Sequence, residues 1–262
     1  MEIGPYCFVG PKAEIGDHCV LHARAVVAGC TTLGAGCEVF PGASVGHGPQ
    51  DTKYRGEDTR LIIGDGTIIH ELVSLSPGTP SGHSLTRVGS HCVLMPGSHV
   101  AHDCELGDHV TLGMEVKLAG HVSVGDYAYL DNLTAVHQRV RIGAYAATSE
   151  RSGIPADIIP FGVASGEDRA ASLTGLNLVE LERHGFPEEQ VHELRQAYRL
   201  LFAQEGTLRE RLADMVKMFG ENPLVRRVID FIESDTSRQF CVPGEASAFN
   251  GNGQRRADKD RD

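Results

Sequence analysis

The sequence predicts a mainly β protein with a helical C-terminal part: a parallel β-helix of hexapeptide repeats, then a small α-helical domain. Three observations carry this. From Val88 to Ile154 every sixth residue is aliphatic, without insertion or deletion: Val88, Leu94, Val100, Leu106, Leu112, Leu118, Val124, Leu130, Val136, Ile142 and Ile154, with Thr148 the one exception. The next residue is often small, as at Gly89, Ala101, Gly107, Gly113, Ala119, Gly125 and Gly143. After Pro155 and Pro160 the period gives way to spacings of three and four. A half-buried strand shows period two and a helix 3.6, so a strict six marks a stacked solenoid. Three hexads make one triangular coil of about eighteen residues. The aliphatic residue fills the interior, and the small one is expected to let the chain turn the corner.

Taken in order, the repeat starts at once with Ile3, Val9, Ile15, Leu21, Val27, Leu33, Val39 and Val45. It breaks near 47–60 into a polar stretch with turn formers, resumes at Ile63, Ile69 and Leu75, and breaks again near 76–87. Solenoids place such insertions at corners, often beside the binding face, so two excursions point to loops over a site. The solenoid is expected to fill residues 1–166. From about 167 to 237 the leucines and valines recur at three and four, beginning with Leu173, Leu176, Leu178 and Leu181. Pro187 followed by Glu188 and Glu189 reads as a helix start, with proline and acids in the first turn. Three or four helices would cap the solenoid and blunt its open edge. Residues 238–262 turn to Gly, Ser and Asn, then to charge, and read as a disordered tail.

Composition limits the function. The 262 residues carry 24 Lys and Arg against 35 Asp and Glu, a net charge of −11, which argues against nucleic acid as a general partner. No apolar run approaches the roughly 18 residues that span a bilayer, so no stable membrane insertion is expected. Met1 leads straight into the repeat with no signal peptide in view, and a cytoplasmic location is the expectation. The seven cysteines form no C-x-x-C pair. Cys7, Cys19, Cys37, Cys92 and Cys104 occupy the fifth place of a hexad, where a small buried hydrophobe fits. So thin a solenoid is expected to pack three abreast as a homotrimer, with sites in the clefts between subunits.

Histidines supply the chemistry. His91, His99, His102, His109, His121 and His137 lie close in sequence, and counting in eighteens brings His102 to Gly120, one residue from His121. His99 and His137 fall near the same column, which gathers four histidines at one corner. Gamma-class carbonic anhydrases hold zinc on this type of solenoid with two histidines five apart, a spacing no pair has here, so no metal is expected. General-base catalysis is the other use of a histidine, and Asp103 directly follows His102 to orient its ring.

The runs Gly48-Pro-Gln-Asp51, Val100-Ala-His-Asp-Cys104, Leu118-Ala-Gly-His121 and Leu133-Thr-Ala-Val-His-Gln138 resemble those of acyl carrier protein–UDP-N-acetylglucosamine O-acyltransferases. Asn177 and Arg183-His-Gly-Phe186 continue the likeness, which covers roughly residues 3 to 235. The resemblance implies a trimeric left-handed β-helix with no bound cofactor. The acyl donor would ride on the phosphopantetheine of acyl carrier protein, and the acceptor would be the 3-hydroxyl of UDP-N-acetylglucosamine, in the first step of lipid A synthesis. It also implies His102 as general base, Asp103 as its orienting partner and the Gly120 N–H as oxyanion donor. Asp51, Lys53, His99, His121, His137 and Gln138 would line the substrate cleft, with Asn177 and Arg183 reaching the diphosphate side.

Departures from the family pattern cluster where the acyl chain would lie. The family's Ile-His-Arg-Gly-Thr reads Leu75-Ser-Pro-Gly-Thr79 here, its Ala-Asn-Asn-Ala-Thr reads Gly113-Met-Glu-Val-Lys117, and a Gly-Gly pair reads Asp131-Asn132. A second small pair, part of which limits chain length in the family, reads Ser149-Glu150-Arg151. Met114, Glu115, Asn132 and Glu150 are therefore the acyl-channel candidates. Glu115, Lys117, Glu150 and Arg151 are expected to pair with one another and shorten the channel. The alternatives are a short-chain acyl or acetyl transferase acting on a nucleotide amino sugar, and a silent relative that binds carrier protein or sugar nucleotide.

Overall fold

The computed structural model describes residues 1–166, 171–235 and 238–244. Strands of mostly two residues, separated by four-residue corners, wind a parallel β-helix with three flat faces. Registers step by eighteen: Val93, Thr111 and Tyr129 align on the first face, and His99, Lys117, Ala135 and Gly153 on the second. The third face carries Glu105, Ser123 and Arg141. The hexad aliphatics form the core, and Leu94, Val100, Leu112, Leu118, Leu130 and Ile154 are fully buried. Cys19, Cys37, Cys92 and Cys104 are buried with them, while Cys7, in the end coil, is half-buried.

The corner works differently from the sequence expectation. The left-handed backbone turn falls on the third residue after the aliphatic one, and side chains carry it: His91 (φ 56°), Asp103 (58°), Glu115 (57°), His121 (62°), Leu133 (60°) and Arg151 (57°). The small residue directly after the aliphatic one answers a different need. A Cβ on Gly89 would come within 2.3 Å of the Gly107 carbonyl oxygen, and one on Gly125 within 2.5 Å of the Ala144 nitrogen. Glycine is there because the next coil's backbone lies against it.

The two register breaks are loops after Val45 and after Leu75, closing into the four-residue strands Arg60–Ile63 and Leu85–Val88. Both of these strands pair on the third face, so the loops leave the coil and rejoin it without a shift of register.

At the C-terminal end the solenoid continues further than expected. Residues 171–176 are not helical. Ser172–Leu176 forms a strand antiparallel to Gly162–Ser165, itself paired to the last strand of the first face. Leu173 and Leu176 share a three-residue spacing with the helical leucines, yet the unpaired backbone edge of Gly162–Ser165 recruits them as a strand. The helices follow as α1 (Leu178–Arg183), α2 (Glu188–Leu201), α3 (Leu208–Phe219) and α4 (Pro223–Glu233). Pro187 starts α2 with Glu188 and Glu189 in its first turn, Thr207 and Glu210 close a capping box on α3, and Asn222 caps α4 ahead of Pro223. Leu194, Ala197, Leu201, Met215 and Val228 close over Ile159 and Leu176 at the solenoid's end.

The expected tail also divides. Residues 238–244 pack back on the solenoid: Asp157 bridges to Phe240, Leu173 to Pro243, and Cys241 is buried. Residues 245–262 lie outside the described residues. The buried Asp157 carboxylate fastens this strap. It accepts from the Arg141 and Arg238 Nε atoms at 2.7 and 3.0 Å, while Arg141 also reaches the Phe231 carbonyl at the end of α4. Asp157→Ala leaves two arginines facing an empty buried site. It should lower the unfolding free energy by about 3–5 kcal/mol in chemical denaturation, and an unchanged midpoint would contradict the account.

Candidate active site at a solenoid corner

The three corners hold different chemistry. His91, His109, Tyr127, Tyr145 and Phe161 stack in one column at the corner leading from the third face to the first, with ring centroids 4.6–5.6 Å apart. His184 and Phe186, just past α1, meet this column edge-on. The expected four-histidine corner is therefore reduced. His102 and His121 meet at the corner between the second and third faces, edge to face with centroids 5.2 Å apart. His99 lies on the second face itself, where its Nδ1 contacts the Ser74 hydroxyl at 2.7 Å. His137 and Gln138 are exposed at the same corner two coils on from His102. The reason is local: a residue in the two-residue strand projects from the face, and only the second and third residues of a corner stand in the corner columns.

His102 and Asp103 form a fixed pair. The carboxylate accepts from His102 Nδ1 at 2.9 Å, which makes Nδ1 a protonated nitrogen and Nε2 the acceptor whenever the ring is neutral. Asp103 is only 2% exposed and takes three more donors from the loop after Leu75: the Thr79 hydroxyl at 2.6 Å, the Thr79 N–H at 3.1 Å and the His83 N–H at 2.9 Å. The Asp103 N–H in turn donates to the Thr86 hydroxyl at 2.8 Å. Burial would push the Asp103 carboxyl up, but the Thr79 hydroxyl, the His102 ring and the two loop N–H groups outweigh it and hold it below the usual carboxylate value.

Gly120 stands one coil below His102. A Cβ on it would lie 2.6 Å from His102 Cε1 and 2.8 Å from Nε2, so only glycine admits the ring in this position. Its N–H has no acceptor among the described residues. At some other corners an Asp or Asn one coil on caps the corresponding N–H: Asp108 caps Ser90, Asp126 caps Asp108, and Asn132 caps Met114, at 2.7–2.9 Å. At Gly120 the next residue in the column is Gln138, which does not cap it. The corner thus sets an uncapped N–H beside the Nε2 edge of the His102 ring.

The flanking histidines are biased toward the neutral form. Burial first, then the Lys117 ammonium, lower the His99 pKa; burial first, then Arg139, lower that of His121. The ligating atoms of His102, Asp103 and His121 fall within 4.8 Å of one another, the grouping closest to a metal site among the described residues. Yet four donors occupy the Asp103 carboxylate, so the donor set suits proton transfer better than ligation.

The other candidate residues lie apart. Asp51 accepts from the Lys53 N–H at 2.9 Å and shapes its own loop. Asn177 caps α1 and donates to the Tyr145 carbonyl at 2.9 Å, so its amide holds the start of α1. Arg183 is exposed and pairs with Glu180 at 3.2 Å. Met114 and Glu150 are exposed at the corner between the first and second faces, and Asn132 turns its carbonyl into that corner. Glu115 pairs with Lys117 at 2.8 Å as expected, whereas Glu150 and Arg151 make no ion pair among the described residues. Sequence reasoning passed over Thr79, which stood in view only as the end of a departing motif.

Comparison with known proteins then decides the family. Residues 157–241 match the model described as Udp N-acetylglucosamine O-acyltransferase, Domain 2, and residues 85–120 match the bacterial transferase hexapeptide repeat. A relative from Azorhizobium caulinodans named acyl-[acyl-carrier-protein]–UDP-N-acetylglucosamine O-acyltransferase is 45% identical over 93% of this chain and 89% of its own. The protein of that name from Brucella ovis is 38% identical over 100% and 92%. This chain belongs to that acyltransferase family. Among solved structures, LpxA from Acinetobacter baumannii superposes with a TM-score of 0.85 at 36% identity, covering 92% of both chains. The UDP-N-acetylglucosamine acyltransferase of Francisella novicida gives 0.88 at 26% identity over 97% and 96%. As a member of the acyltransferase family the solenoid is a left-handed parallel β-helix. No helix among the described residues is long and apolar enough to cross a membrane.

The lowered pKa of the flanking histidines can be checked by NMR titration. His99 and His121 should both titrate below the ordinary 6.5. Lys117→Met should move His99 upward and leave His121 in place; an unmoved His99 would remove Lys117 from the account.

Proposed function

We propose that this chain transfers a (3-hydroxy)acyl group from acyl carrier protein to the 3-hydroxyl of UDP-N-acetylglucosamine, the first step of lipid A synthesis. The observation that carries this is the packing of Gly120, whose N–H is uncapped, against the Nε2 edge of a His102 ring whose Nδ1 is bound to Asp103. His102 Nε2 takes the proton from the sugar hydroxyl while Asp103 steadies the imidazolium through Nδ1. The alkoxide oxygen bonds to the thioester carbon, and the Gly120 N–H stabilises the tetrahedral oxyanion. Collapse breaks the carbon–sulfur bond. The proton held by His102 passes to the leaving phosphopantetheine sulfur. These residues use no metal or further cofactor in the sequence.

The cleft around this corner is read as His99, His121, His137 and Gln138, with Asp51, Lys53 and Arg183 completing it from a neighbouring copy. The support for a homotrimer is that Asp51, Lys53 and Arg183 make no contact with the His102 pair within one chain. Further support comes from Leu72, Leu133 and Met114, 71%, 55% and 47% exposed along the corner between the first and second faces, where an interface would bury them. Asn177 would act through α1, holding the segment that carries Arg183. In sedimentation the protein should run at three times the 28.2 kDa chain mass; a monomer would leave the cleft without its second wall.

A short-chain donor is the second reading. It is favoured by the Glu115–Lys117 pair and by the exposed charges of Glu150 and Arg151 at the corner where an acyl tail would run. One panel separates the readings: purified protein, UDP-N-acetylglucosamine, and carrier protein charged with chains of two to sixteen carbons. The expected result is transfer of a long 3-hydroxyacyl chain, cut about 10²–10⁴-fold in His102→Ala. Transfer of short chains alone would favour the second reading. Absence of transfer from every donor would leave a silent binding protein.

A further inference from the structure

The loop after Leu75 leaves the repeat and returns to it with no residue of its own in the proposed chemistry, yet its backbone is wrapped around one side chain. Thr79 is fully buried, and its hydroxyl lies 2.6 Å from Asp103 Oδ2, the oxygen that also accepts from His102 Nδ1. The N–H groups of Thr79 and His83 reach Oδ1 at 3.1 and 2.9 Å. Gly82 touches the carboxylate so closely that a Cβ there would sit 2.3 Å from its carbon. Thr79 Oγ1 is also 3.2 Å from the Ser81 hydroxyl. A carboxylate only accepts, so the single Thr79 proton goes to Asp103 and Ser81 donates to Thr79. Every hydrogen in the chain Ser81 to Thr79 to Asp103 to His102 then has one direction.

We infer that Thr79 is a positioning residue: its hydroxyl and N–H, with the His83 N–H, orient the Asp103 carboxylate so that His102 keeps its proton on Nδ1 and presents Nε2. This rests on the reading of His102 as general base. Without the hydroxyl, Oδ2 loses one of its two strong donors and the carboxylate is free to rotate away from the ring. Losing a donor also raises the proton affinity of the His102–Asp103 pair taken together, whichever member takes the proton. The other titratable or charged groups facing the pair are His83 on the loop, His99 on the second face, and His121 and Arg139 in the following coils, all unchanged by the substitution.

The test compares full-length wild type, Thr79→Val, Thr79→Ala, Thr79→Ser and His102→Ala. Two quantities are read: the pH profile of kcat/KM with carrier-protein donor, and the ¹⁵N shifts of the His102 ring. Wild type should show a protonated Nδ1 and a free Nε2. Thr79→Val should lose about tenfold to hundredfold in kcat/KM, most of it in kcat. The acid limb should move to higher pH, and the ring should become a mixture of tautomers. Thr79→Ser should restore both, and Thr79→Ala removes the same hydroxyl with less bulk should valine disturb the fold. A valine or alanine variant with the wild-type tautomer and acid limb would overturn the inference, however slow it was. Full activity in His102→Ala would instead remove the base reading, and the ring shifts would still decide what Thr79 does because they need no turnover.

Discussion

Everything in this molecule depends on coils that stack at one backbone ladder's distance with a left-handed turn in most corners. A residue with a side chain in that conformation costs about 1–2 kcal/mol. The solenoid repeats this cost through most corners from His91 to Arg151. One fully buried aliphatic side chain per hexad contributes about 1.5–3 kcal/mol in return, besides the parallel hydrogen bonds between coils. The turn and the buried aliphatic therefore come together, and a period of six survives over long stretches. The geometry also sorts side chains into vertical columns eighteen residues apart. Function in such a protein is arranged by column, and the His102, Gly120 and Gln138 column leaves a corner N–H uncapped beside the His102 ring.

Column arithmetic explains what could be read from the sequence. Counting by eighteen put His102 beside His121, and the two rings meet. The same counting placed His99 and His137 in that corner column as well, because it tracks position along the coil and ignores whether a residue sits in a strand or in a corner. His99 is in a strand, so it points off the face toward Ser74. The fold class was fully legible, since one strict period can come from few architectures. The end of the solenoid was not. Leu173 and Leu176 have helical spacing, and only the open edge of Gly162–Ser165 decides that they form a strand. A polar composition likewise hid that Phe240 and Cys241 tie the segment after α4 back to Asp157.

The loops were the least legible part, because nothing periodic guides a chain once it leaves the repeat. Their necessity can still be argued from the chemistry of Asp103. A regular corner offers a side chain at most one N–H from the adjacent coil, as the Asp108, Asp126 and Asn132 caps show. One such donor does not sustain a carboxylate that is 2% exposed, since a buried charge is costly unless its lone pairs are filled. Asp103 has four donors, and three of them come from residues 79–83. To keep a charged, oriented carboxylate behind the His102 ring, the solenoid has to interrupt its repeat. The excursion after Leu75 is where it does so, and Gly82 at van der Waals limits against Asp103 records how tightly that break is fitted to one side chain.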